Sequence, residues 1–264
     1  HLDRRLNTGN AKRLKGALTL AILVLTAGII GSALTALGSL ISIIVAAILI
    51  AQRSLIDHVR DVAFALELST AEGRRAVGMI VSRNTKDMDD SAVARAAIES
   101  AAENFSDGVI APAFWFLLAG LPGIMIYKAV NTADSMIGYR TEKYEEFGKA
   151  AARTDDLLNW IPARLTGALI AVTARVMRQW RDIRTDARKH KSPNAGWPEA
   201  AMARALCIAL AGPRDYDGAR QSFPWVNAGA RFGLSATDID GAVRLVWKSW
   251  GVFLIIVLGF AATI

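Results

Sequence analysis

A chain of 264 residues with 53% hydrophobic and 21% charged side chains is apolar for a soluble domain and too charged to lie wholly in lipid. Its net charge of +7 fits a nucleic-acid binder or a membrane protein with Lys- and Arg-rich loops, and the apolar spans below favour the second. A single cysteine, Cys207, excludes an internal disulfide, and three scattered histidines (His1, His58, His190) argue against zinc.

In chain order, Arg4, Arg5, Lys12, Arg13 and Lys15 form a basic flank of the cytoplasmic kind. No small-residue cleavage site marks a signal peptide. The run from Gly16 to Ala51 is too long for one untilted span, and Gly28, Gly31 and Gly38 predict two close-packed helices with a break near Ser32–Ser39. Leu55, Val59, Val62 and Leu66 recur at helical spacing. Ser69 to Glu72 offers a helix cap, and Asp90 or Ser91 is expected to cap an Ala-rich helix carrying Glu99 and Glu103.

Glu99 to Ser135 holds two polar clusters around one apolar segment. On a helix, Glu99, Glu103 and Asp107 fall on one face. Like charges at that spacing repel, so the stripe either is solvated or meets cations such as Mg²⁺ shared with phosphates. Lys128, Asn131 and Ser135 share a second face with Asp134 beside it, donors suited to phosphate or carboxylate. A turn at Pro122–Gly123 would make two arms of about ten residues, half a bilayer each, and return both clusters to one side. Such re-entrant backbone is tolerated where protein buries it.

Further on, Asp155 is expected to cap a helix whose apolar part is Leu165 to Val176. Arg164 at its edge reads as functional or as interfacial snorkelling. Arg175, Arg178, Arg181, Arg184 and Arg188 predict a basic helical face, either a membrane-surface anchor or a means of anion capture. Residues 190–198 form a turn-rich loop, with a helix starting at Pro198–Glu199. Gly212 to Asn227 reads as loop. Thr237–Asp238 is expected to cap a last helix, apolar from Val252.

The expected fold is therefore all-α: a polytopic helical membrane protein with re-entrant or broken helices and cytoplasmic helical segments. It forms one domain over 1–264, with apolar segments at about 17–51, 109–127, 157–176 and 246–264. Its aqueous-facing motifs span 99–107, 128–164 and 190–203.

Four strings carry a resemblance: ESAAENFSDGVIAPAFW (Glu99–Trp115), YKAVNTADSMIGY (Tyr127–Tyr139), ARTDDLLNWIPARLTG (Ala152–Gly167) and HKSPNAGWPEAAMA (His190–Ala203). In this order the chain resembles the adenosylcobinamide-phosphate synthase family of cobalamin biosynthesis, from about Leu2 onward. Family members carry a further apolar segment with a His-Pro motif before this point, so the sequence is expected to be truncated ahead of its first residue. The resemblance implies an inner-membrane enzyme, multi-pass with its site facing the cytoplasm. It joins aminopropanol, or its phosphate, to a propionate of adenosylcobyric acid in an ATP- and Mg²⁺-dependent amide synthesis. Partners are the corrinoid, the aminopropanol phosphate and the bilayer, with no nucleic acid. A homo-oligomer or contact with other cobalamin-pathway enzymes is open.

Residue chemistry and motif position assign the roles. Glu99, Glu103, Asp107 and Lys128 are catalytic candidates, the three acids also as Mg²⁺ ligands. Asn104, Asn131, Asp134, Ser135, Arg153, Asp155, Asp156, Arg164, Ser192 and Asn194 are substrate or phosphate binders. A transporter or sensor on the same scaffold is the competing expectation, because broken apolar segments occur there too.

Overall fold

The structure, a computed structural model, describes residues 5–139, 141–216 and 219–263, excepting the side chains of residues 214–220. Arg4 of the basic flank and Ile264 of the last apolar segment lie outside the described residues. The chain is helical apart from a few very short strands, and divides into two compact units, one of residues 1–51 and 107–162, the other of 52–106 and 163–264.

In the first unit, α1 (Lys12–Thr35) and α2 (Ser39–Leu49) are joined by a tight turn at Ala36–Gly38, as the glycine pattern predicts. The small residues let backbones touch. A Cβ on Gly31 would sit 2.7 Å from the Cα of Pro122, and one on Gly16 would overlap the Phe147 carbonyl. In lipid, such close approach replaces the water-driven hydrophobic effect as the source of helix association.

The segment facing Gly31 is folded back on itself. A π-helical turn (Ser106–Ile110) leads into α6 (Ala111–Ile137), which leaves helical conformation at Ala119 (φ −141°, ψ 19°) and Gly120 (φ 61°, ψ −151°). The Tyr127 hydroxyl donates to the Asp107 carbonyl oxygen at 2.8 Å. A straight helix would hold residues twenty apart at about 30 Å, so the two arms are antiparallel. A Cβ on Gly123 would lie 2.4 Å from the Trp115 carbonyl oxygen. The break sits slightly before the expected Pro122–Gly123. Gly120 supplies the positive φ, and Pro122 falls in the first turn of the second arm, where its missing N–H costs nothing. Helix α7 (Lys149–Leu158) closes the unit, packing on α1 and α6 around Leu20, Val130, Ala133 and Ala151.

The second unit centres on α5 (Asp90–Phe105). It packs against α3 (Gln52–Leu68), α4 (Thr70–Val77), α10 (Gly196–Ala205) and α11 (Ala236–Ala261). Ala94, Ala96, Ala97, Ala101 and Ala102 are all buried; no larger side chain would allow so many neighbours so close. Ser69 caps α4 as expected, accepting from the Glu72 N–H. Asp89, not Asp90 or Ser91, caps α5; Ser91 instead donates to the Phe232 carbonyl and accepts from the Leu234 N–H. Ser235 and Asp238 form the capping box of α11, two residues before the expected Thr237 start.

Helix α8 (Trp160–Thr173) spans the boundary at residue 162 and is followed by a 3₁₀ turn (Met177–Gln179) and α9 (Trp180–Ala187). The five arginines from Arg175 to Arg188 are exposed but do not share one continuous helix. Arg181 and Arg184 are exposed on α9, whose buried positions are Ile183, Asp186 and Ala187. The expected loop from Gly212 to Asn227 contains two short antiparallel ladders. β1 (Leu210–Ala211) pairs with β4 (Trp225–Val226), and β2 (Arg214–Tyr216) with β3 (Ala219–Gln221).

Among the described residues, four stretches are long and apolar enough to cross a membrane: Lys12–Thr35, Ser39–Leu68, Asp90–Ile137 and Ala236–Ala261. The third contains the fold-back, so its apolar part is divided into two short arms at Ala119–Gly120. Leu18, Ile22, Leu25 and Ile29 on α1, Leu40 and Ile48 on α2, and Ile255, Leu258 and Phe260 on α11 are exposed. Apolar surface so extensive marks a membrane protein. The expected segment 157–176 is only the 14-residue α8, too short to cross.

Candidate functional site

The polar residues singled out in the sequence gather in two assemblies, one in each unit. In the first unit the fold-back places Asp107 of the π turn beside Tyr127 of the returning arm. Tyr127 also donates to Asn159 Oδ1 at 2.9 Å. Asn159 Nδ2 donates to Asp155 Oδ2 at 3.0 Å, and Asn131 Nδ2 to Asp155 Oδ1 at 3.2 Å. Asp155 is therefore not the cap of the next helix. It lies inside α7 as the acceptor at the centre of a buried chain of amides. Burial raises its carboxyl above the usual aspartate range, the Asn131 and Asn159 bonds pull it back, and the Asp156 charge adds to the rise. Asp134 feels the charges of both Asp155 and Asp156. Ser135 Oγ donates to the Asn131 carbonyl oxygen at 2.9 Å, a bond within its own helix. Arg153 is exposed on α7.

Lys128 is the distinctive member. It is half-buried one residue beyond Tyr127, and no carboxylate pairs with it among the described residues. An ammonium without a counter-charge in a desolvated place is costly unless an anion is to be held there.

In the second unit, Glu99, Ser100, Glu103 and Asn104 of α5 line an open cavity of about 140 Å³. Ile80, Val81, Ser82, Arg83, Ala96 and Glu199 complete it. Glu99 and Glu103 lie one helical turn apart on one face, as their spacing predicts. Glu99 is already engaged: its Oε2 accepts from Arg83 Nη2 at 2.8 Å and its Oε1 from the Ala211 N–H at 2.7 Å. Both partners of the ion pair are buried, with 8% and 5% of the side chains exposed. Arg83 Nε is buried with no acceptor among the described residues, an arrangement costing about 1–3 kcal/mol. Glu199 is buried on α10, its Oε1 3.6 Å from His190 Nε2. Asn104 donates back to Ser100 within its helix, to the carbonyl oxygen and the hydroxyl.

The loop before α10 is built by its own residues. Ser192 Oγ accepts from the N–H groups of Asn194 and Ala195, and His190 Nδ1 from that of Ser192. Arg164 lies over the Trp197 ring at 4.9 Å, with Nη1 3.4 Å from Asn194 Oδ1. Arg164 and Asn194 thus meet, while Ser192 shapes the turn.

The acidic stripe is split. Glu99 and Glu103 face the cavity, whereas Asp107 sits in the π turn, where the wider coil ends the 3.6-residue period. No three His, Cys, Asp or Glu side chains are close enough to hold a metal among the described residues. Arg83 and Glu199 were missed as site residues. The signal for Arg83 is a cation after the apolar Ile80–Val81; for Glu199, the single acid of an otherwise uncharged first turn in an alanine-rich helix.

A model of the CobD/CbiB protein family matches residues 1–246. A Cobalamin biosynthesis protein CobD from Brucella anthropi is 50% identical over 80% of this chain and 67% of its own length. Its counterpart from Sinorhizobium fredii is 46% identical over 94% of the chain and 81% of its own length. One from Rhodobacter capsulatus is 50% identical over 84% and 73%. No solved structure matches. With a family match across most of its length and relatives 46% to 50% identical over 80% to 94% of it, this chain belongs to the CobD/CbiB family of cobalamin biosynthesis proteins.

Proposed function

We propose that the chain is an ATP-dependent ligase that joins (R)-1-aminopropan-2-ol, or its O-phosphate, to a propionate of adenosylcobyric acid. It works in the inner membrane with its site facing the cytoplasm. The observation that supports this most is Lys128, a half-buried cation one residue beyond Tyr127 with which no carboxylate pairs among the described residues. A propionate is a poor acyl donor. Its oxygen attacks the γ-phosphorus of ATP and ADP leaves. The amine nitrogen then attacks the acyl carbon, phosphate departs, and the amine proton passes to a carboxylate. Positioned cations and hydrogen-bond donors do most of the work in such phosphoryl transfer. Lys128 and Arg153 would contact phosphate oxygens, and Asn131 would orient them. Arg164 and Asn194 would hold a carboxylate or phosphate on the second unit, and Glu103 is the candidate base.

The described carboxylates do not form a three-ligand cage. Mg²⁺ carried on nucleotide phosphates needs only one or two, which Asp134 and Asp156 can offer. When bound, the ion would offset phosphate charge.

The test is product formation by the purified protein in detergent with adenosylcobyric acid, the amino alcohol or its phosphate, and MgATP. Lys128→Ala should lower turnover by at least about 100-fold, the loss of one preorganised charge, with thermal stability retained. Full activity in that variant, or phosphate release without the corrinoid, would remove the proposal.

A further inference from the structure

We infer that the stretch from Arg175 to Arg188 is a lipid-binding surface, seated in the headgroup layer of a bilayer and holding anionic phospholipid headgroups.

Its charge is uncompensated. Arg175, Arg178, Arg181, Arg184 and Arg188 are all exposed, and none of the five guanidiniums has an ion pair or a hydrogen-bond acceptor among the described residues. The two acids within the stretch are engaged elsewhere. Asp182 Oδ2 lies 3.7 Å from Arg204 Nη1, and the buried Asp186 pairs with Lys189 and Arg204. Like charges so close along the chain repel, and an anionic membrane surface relieves them.

The backbone gathers these cations. Helix α8 ends in a Schellman turn, in which the Arg175 N–H donates to the Val172 carbonyl oxygen at 3.0 Å and the Val176 N–H to that of Ala171 at 2.8 Å. Arg175 holds the left-handed position of that turn (φ 61°), where glycine is the less strained residue. The chain then passes through the 3₁₀ turn into α9. There Arg181, Arg184 and Arg188 fall within about 60° of one another around the helix axis.

The exposed apolar neighbours along the chain select the partner. Leu165 and Val172 of α8 and Met177 of the 3₁₀ turn are open to the surroundings. Helix α8 is apolar but has only 14 residues, and a short helix with exposed apolar side chains beside cations lies along a membrane surface. A nucleic acid or a free nucleotide would meet the arginines and leave Leu165, Val172 and Met177 in water. Acyl chains beneath the headgroups cover them.

The test uses the full chain in a neutral detergent. Cys207 is replaced by Ser, and the exposed Gln179→Cys carries a polarity-sensitive fluorophore. Phosphatidylglycerol in mixed micelles should shift its emission to the blue, and phosphatidylcholine at the same concentration should give a far smaller shift. Arg178→Gln, Arg181→Gln and Arg184→Gln combined should raise the phosphatidylglycerol concentration at half-response about a hundredfold, at about fivefold for each cation near an anionic surface. Lysine at the same three positions should keep the response near that of wild type, which separates lost charge from lost fold. Equal responses to the two lipids, an unchanged half-response in the glutamine variant, or a loss as large in the lysine variant would overturn the inference. So would glycerol 3-phosphate, ATP or a short single-stranded RNA that blocks the lipid response at equal concentration, because the patch would then serve a soluble anion.

Discussion

Two aspartates show how the same residue type is put to opposite use. Burial would raise the Asp186 carboxyl. Bonds from Lys189 at 2.6 Å, from Arg204 at 2.7 Å and from the Asn227 N–H at 3.0 Å outweigh it and hold the group below the usual range. A carboxyl lowered in the folded state stabilises the protein above its unfolded pKa, and that contribution is lost as pH falls through the folded value. Thermal melts should thus show wild type losing more stability than Asp186→Asn on acidification from pH 5 to about pH 3. Parallel curves would show that the network carries no charge-dependent stability. For Asp155 the balance is reversed, so its ionisation is a cost in the folded protein. Nothing in the local string around either residue announces the difference. Asp186 draws on Asn227 and Asp155 on Asn131, partners brought near only by the fold. The identity of the polar residues was legible in the sequence; the division of Glu99 into an ion-pair partner and Glu103 into a cavity liner was not. That division depends on Arg83 and the Ala211 N–H, which no spacing rule connects to them.

At the scale of elements, the fold-back of α6 was legible because Gly and Pro near the middle of an apolar run disfavour a continuous helix. The break falls at Gly120 and not at Pro122–Gly123, because Gly120 takes the positive φ while Pro122 fits the first turn of the returning arm. The caps of α5 and α11 were misplaced by a residue or two, within the ordinary ambiguity of helix ends. The tiny ladders after Gly212 carry no alternating pattern long enough to read. The returning arm makes a direct topological prediction. In a background with Cys207 replaced by Ser, Gly108→Cys and Thr132→Cys should react with a membrane-impermeant thiol reagent from the same side. Gly108 has room for the change, since its Cβ would meet only Ala51 Cβ at 3.9 Å. Reaction from opposite sides would mean the arms do not return in the membrane.

For the molecule as a whole, composition and hydropathy announced a helical membrane protein, and the membrane-capable stretches agree. The grouping of segments was not legible, because it is set by which helices touch. Each unit takes two separated pieces of chain, 1–51 with 107–162 and 52–106 with 163–264. A fragment ending at residue 162 should keep α1 protected from trypsin in detergent, whereas one ending at residue 51 should be cut freely at Lys12, Arg13 and Lys15. Equal cutting would show that α1 does not depend on its later partner.

The order of synthesis follows from that interleaving. The first 51 residues leave the ribosome roughly a hundred residues before residue 162, a delay on the order of 5–20 s at ~5–20 residues per second. Through about the first two thirds of that interval Gly31 has no Pro122 to rest against, and α1 and α2 stand without the helices they later pack on. The insertion machinery, or a chaperone beside it, must shelter them until the later half arrives.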